Sequence, residues 1–137
     1  MRARFVGALV LAAAGFITIA CNGISSPSNN QVENFPGTLN PQGGGAFPFT
    51  VGKTGEFTVK LTALAPTANA LVGLALTTGN NDGTCTTSVI FGQQNNFSSL
   101  NTQALGGQIF AGKYCILIYD PGTLTVAQTY TITVSHP

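Results

Sequence analysis

The sequence predicts an all-β protein: an antiparallel β-sandwich of about eight short strands behind an N-terminal signal helix and a flexible tether. Three observations predict it. First, Glu56-Phe57-Thr58-Val59-Lys60-Leu61 alternates with period two, which puts Phe57, Val59 and Leu61 on one face and Glu56, Thr58 and Lys60 on the other. A helix, turning about 100° per residue, would scatter those three apolar side chains around its axis. Second, turn signals recur roughly every 8 to 12 residues through the last hundred or so positions, the rhythm of a sandwich. Third, strands and helices do not alternate and no helical heptad follows the leader, so a nucleotide-binding α/β fold has no support.

The leader comes first. Met1-Arg2-Ala3-Arg4 is basic, and Phe5 to Ala20 is a mainly apolar run of 16 residues. A transmembrane helix needs about 20, so 1–20 reads as a secretory signal peptide. Its end, Thr18-Ile19-Ala20-Cys21, resembles the lipobox of bacterial lipoproteins. That resemblance implies acylation of Cys21 as the first mature residue, and Asn22 in place of Asp favours the outer membrane. The alternative is ordinary cleavage after Ala20, since Thr18 and Ala20 are both small. Residues 21–34 are then the lipidated cysteine and a tether containing Ser, Asn and Pro with no apolar period. The sandwich is expected over 35–137.

Phe35 to Leu39 opens the sandwich as an edge strand, because Pro36 has no N–H for a central ladder. Asn40 to Gly45 is a turn, and in Ala46 to Val51 the residues Phe47, Phe49 and Val51 point one way. Gly52 to Gly55 turns into the period-two run. Thr62 to Ala70 is expected to be a connection, with Pro66 barring a continuous strand. Leu71 to Thr77 is a strand, Gly79 to Gly83 a turn, and Cys85 to Phe91 strand-like. Gln93 to Asn101, polar and irregular, is expected to be the longest loop. Thr102 to Phe110 is a weak strand broken at Gly106-Gly107. The densest β-forming run follows, Gly112 to Asp120, apolar on both faces and therefore central. After Asp120-Pro121-Gly122, Val126 to Val134 closes the domain, with Tyr130, Ile132 and Val134 alternating against threonines.

Two of these segments, Gly55 to Leu61 and Ala111 to Asp120 continued at Tyr130-Thr131-Ile132-Thr133-Val134, resemble bacterial pre-peptidase C-terminal domains. The resemblance spans about Phe35 to Pro137 and rests on strand spacing and turns. It implies a compact, jelly-roll-like, non-catalytic β-sandwich serving secretion, surface binding or substrate contact. Some members of that family bind calcium through acidic residues before the middle strand; here Asn69 stands where the family often has Asp.

Charge excludes one class of partner. Charged residues make up only 7% of the chain, and after Ala20 three lysines face four carboxylates, leaving −1. Nothing here draws a phosphate backbone, so nucleic acid is not an expected partner. Among three cysteines, lipid on Cys21 leaves Cys85 and Cys115 to pair as a disulfide. Asn80-Asn81-Asp82-Gly83 lacks the spaced oxygens and terminal Glu of a calcium loop and reads as a turn. His136 is the only histidine and the penultimate residue, no G-x-S-x-G occurs, and the four acids are widely spread. No catalytic residue, metal site or cofactor is therefore expected.

Tyr119 and Phe97 are the candidate ligand face, while Tyr114 and Tyr130 read as core or inter-sheet residues. The expected function is a non-enzymatic, lipid-anchored module of the cell envelope, acting in structure, adhesion or partner binding at the outer membrane, on its periplasmic or exposed face. A carbohydrate- or polymer-binding module is the first alternative, an accessory domain for a secreted hydrolase the second. The expected partners are the membrane through its anchor and a protein or polysaccharide.

Overall fold

A computed structural model describes residues 29–137. The expected signal peptide, Cys21 and the first part of the expected tether lie outside the described residues. What is described is all β, in eight strands: β1 (Gln31–Leu39), β2 (Gly44–Val51), β3 (Gly55–Ala65), β4 (Val72–Gly79), β5 (Cys85–Ser98), β6 (Gln103–Ile109), β7 (Gly112–Tyr119) and β8 (Gln128–His136). They form two four-stranded antiparallel sheets in the orders β1-β8-β3-β6 and β2-β7-β4-β5. The first strand pairs with the last, the second with the seventh, the third with the sixth and the fourth with the fifth. This is the nested pairing of a jelly roll.

The period-two pattern builds the core. Phe57, Val59 and Leu61 of β3 and Ile132 and Val134 of β8 face inward from one sheet. Leu74 and Leu76 of β4 and Ile116 and Ile118 of β7 meet them from the other, and all are almost wholly buried. As its two-faced apolar sequence requires, β7 is an inner strand. Pro36 and Pro48 both sit in edge strands, where a missing N–H leaves no ladder bond unmade.

Four sequence expectations need correction. Gln31 to Asn34, assigned above to the tether, already belong to β1, pairing with Thr133 to His136. Their polar look is that of an edge strand, and the inward Glu33 is held by a bond to His136 rather than by apolar contact. Secondly, β3 does not stop at Leu61. It runs to Ala65 after a register shift between Leu61 and Ala63, still paired with β8.

The third correction is the largest. Gln93 to Ser98 is strand, and β5 extends over 14 residues. It lies at the edge of its sheet, so it pairs on one side only and is half-exposed along its length. Apolar alternation is not required there. Lastly, β6 continues through Gly106-Gly107, pairing with Thr58 and Phe57 of β3.

Topology also sorts the molecule into two ends. The start of β1, the end of β8 and the connections β2–β3, β4–β5 and β6–β7 lie together at one end, here the N-terminal end. The β1–β2, β3–β4, β5–β6 and β7–β8 connections lie at the other.

Candidate functional site

Between β5 and β6 the edges of the two sheets face each other without forming a ladder. Side-chain amides lace part of this gap: Gln93 Nε2 donates to Gly106 O (3.3 Å) and Asn95 Nδ2 to Ala104 O (3.4 Å). Towards the N-terminal end the gap opens into a pocket of about 210 Å³. Its floor is Phe57 from one sheet and Leu76 from the other, so it reaches the space between the sheets. Ile90, Gln93, Gln108, Ile109 and Tyr114 form the walls.

Phe91 and Phe110 form the rim, and both point their rings into water: Phe91 is fully exposed (101%) and Phe110 is 61% exposed. The local backbone explains Phe91. Ala75 of β4 pairs with Gln94 and Thr77 with Val89, so two steps along β4 oppose five along β5, and the surplus residues bulge outward. Gly92, at φ 74°, adopts the left-handed conformation that lets the bulge turn. Phe110 lies just past the end of β6, and its carbonyl accepts a bond from the Tyr114 hydroxyl (3.1 Å). Two such rings held in water beside an apolar opening make an exposed apolar patch.

A second cavity, about 280 Å³, lies on the other side of Tyr114 and is lined by Thr50, Lys113 and the Gly79 to Gly83 turn. It is polar and internally satisfied. Asp82 Oδ1 accepts from the hydroxyl (2.6 Å) and backbone N–H (2.9 Å) of Thr84, and the Thr84 hydroxyl is the main reason its carboxyl titrates below the usual carboxylate range. Lys113 Nζ donates to Asn81 O (3.4 Å). Among the described residues no three His, Cys, Asp or Glu side chains converge as a metal site.

The sequence-predicted residues are placed as follows. Cys85 and Cys115 are joined, with Cα atoms 5.8 Å apart, linking β5 to β7 on either side of β4. Tyr119 is half-buried. Its ring lies against Gly73, where any Cβ would come within 2.2 Å of a ring carbon. Its hydroxyl donates to Asn96 Oδ1 and accepts from Gln94 Nε2 (2.8 Å). Phe97 is exposed on β5 towards the far end. Cys21 lies outside the described residues.

His136, which the sequence suggests is a loose chain end, is fully buried: Nε2 is 2.8 Å from Glu33 Oε1, and its ring packs on Phe49. The sequence reading missed the rim. A signal exists in Ile90-Phe91-Gly92, where two adjacent large apolar residues break the alternation immediately before a glycine.

No family model matches the chain, and no curated protein matches it by sequence. Among solved structures it is similar to a mitogen from Yersinia pseudotuberculosis, at 15% identity and a TM-score of 0.49, over 77% of this chain and 84% of that one. It is also similar to a periplasmic inhibitor of g-type lysozyme from Aeromonas hydrophila, at 12% identity and a TM-score of 0.41, over 82% and 92% of the two chains. Likenesses at this level leave the reading of the site to its own geometry.

Proposed function

We propose that the chain is a lipid-anchored, extracytoplasmic binding module without catalytic activity, and that it makes contact through the mouth framed by Phe91 and Phe110. The observation that carries this reading is the opening itself: an apolar pocket floored by core residues of both sheets, with two exposed aromatic rings at its rim. Keeping such rings in water forgoes roughly 1.5–3 kcal/mol of burial each, an arrangement that suits a surface meant to be covered. The Cys85–Cys115 disulfide supports an oxidising compartment, and the lipobox-like Thr18 to Cys21 supports the anchor.

Strand addition is less well supported. Edge strands β1 and β2 carry Pro36 and Pro48, and β5 is bulged. The test has two arms. Cys21→Ser should move the protein out of the membrane fraction; unchanged partitioning contradicts the anchor. The mature protein should enhance the fluorescence of anilinonaphthalene sulfonate at one site, and Phe91→Ser with Phe110→Ser should abolish that signal while the thermal midpoint holds. Equal fluorescence from both proteins contradicts the contact surface.

A further inference from the structure

We infer that the surface met by Phe91 and Phe110 is the lipid bilayer in which the chain is anchored. This rests on the anchored reading above and names the partner of the same site. The first argument is where the chain joins the sandwich. Asn30 immediately precedes β1, and its side-chain amide donates to Glu56 O (2.9 Å). Glu56 pairs in turn with Gln108, a wall of the pocket. The polypeptide therefore enters at the N-terminal end, which the anchored reading makes the anchor end, beside the mouth.

The second argument is length. Nine residue steps separate Cys21 from Asn30, and at about 3.3–3.6 Å per residue they span at most about 32 Å. A strand of eight or nine residues is itself about 27–30 Å long. The far end of the sandwich can thus touch the bilayer only with the connection drawn nearly taut, whereas the anchor end meets it with slack to spare.

The third argument is the distribution of exposed apolar side chains. Val32, Val89 and Phe110 lie towards the anchor end and Phe91 at mid-height, level with Leu76, against Phe97 and Val126 towards the other. Because the tether already holds the domain at an effective concentration on the order of millimolar, two aromatic rings entering the acyl boundary are enough to fix its orientation. Charge contributes little: Lys53 and Lys113 at this end are offset by Glu56 and Asp82, and Glu33 is bonded to His136. Docking is therefore as strong on zwitterionic as on anionic lipid.

The chain contains no tryptophan, so single replacements report without background. The experiment places Phe91→Trp, Phe110→Trp and the controls Phe97→Trp and Val126→Trp in the lipidated protein, purified from membranes and reconstituted in phosphatidylcholine vesicles with brominated acyl chains. Intact N-terminal acylation is read by mass. Emission from positions 91 and 110 should shift to the blue and fall at least twofold, with or without anionic lipid, while positions 97 and 126 stay open to iodide and untouched by bromine.

A lipidated protein in which positions 91 and 110 are as open to iodide as position 97 overturns the inference and leaves the anchor standing. So does shielding at 91 and 110 without bromine quenching, which would mean that a protein or a second copy covers the mouth. An unacylated N-terminal peptide overturns the anchored reading and this inference with it. Reporter variants whose thermal midpoint matches the parent exclude misfolding as a cause.

Discussion

The two open sides of the sandwich solve the same problem in opposite ways. On the β1–β2 side, as on the β5–β6 side, the edge of one sheet faces the edge of the other. On the first side aromatic rings turn inward and fill the gap. Phe35 and Phe47 stack with centroids 5.2 Å apart, and Tyr130 meets Phe47 edge-on at 6.2 Å. The Tyr130 hydroxyl lies beside Gly37, where a Cβ would come within 2.4 Å of it, so the fit depends on a residue with no side chain. On the second side the aromatic rings turn outward, the two edges are joined by amide laces, and a disulfide ties β5 back to β7 of its own sheet. The architecture tolerates either solution, so the mouth at Phe91 and Phe110 is a choice of residues and not a consequence of the fold.

Removing the plug on the closed side should have the largest effect. Tyr130→Ala leaves a cavity beneath Phe47 and should cost about 3–5 kcal/mol, lowering the thermal midpoint by more than roughly 12 °C; a loss below about 1 kcal/mol would mean the closed side is not packed as described. Next comes the sulfur bridge that holds β5 on the open side. For a sequence separation of 30 residues, chain entropy gives Cys85→Ser about 3.7 kcal/mol under oxidising conditions. Amide exchange should rise in β5 before it rises in β1 or β2; uniform exchange across the sheets would contradict the division.

A smaller effect, dependent on pH, belongs to the closed side. Asp120 accepts from the backbone N–H of Gln42 through one oxygen and from those of Gly122, Thr123 and Leu124 through the other. These bonds, the Gln42 one foremost, hold its carboxyl below the usual value. The ionised form is favoured in the fold, so its stabilisation is complete above the unfolded pKa near 3.8 and is lost as pH falls through the lower folded value. Asp120→Asn should therefore be less stable than the parent at pH 7 and converge with it in acid; a constant gap across that range would contradict the assignment. The smallest effect is expected at the rim, where Phe91→Ala with Phe110→Ala should change stability by less than about 0.5 kcal/mol, since Phe91 is fully exposed and Phe110 mostly so. A larger loss would make them structural.

Much of the fold is legible in residue periodicity. The runs in β3 and β8 alternate cleanly because one face of each is core and the other solvent, and β7 declares itself central by having no polar face. The polar half of β5 is not legible, because an edge strand satisfied by amide bonds carries no apolar period. The start of β1 is hidden for the same reason, its Glu33 answering to a histidine 103 residues away. Of the site, the cysteine pair was readable from counting. Phe91 and Phe110 were not: Phe91 is turned outward by a bulge that only the pairing reveals, and Phe110 falls just past the end of β6, one residue beyond the ladder.

The measurement that tests this contrast most directly is solvent paramagnetic relaxation of the aromatic protons in the disulfide-bonded mature chain, made lipid-free as Cys21→Ser. A neutral soluble radical should broaden the rings of Phe91 and Phe110 strongly and those of Phe35, Phe47 and Tyr130 weakly. Equal broadening on both sides, or a shielded Phe91 beside an exposed Tyr130, would contradict the account of one side packed and the other open.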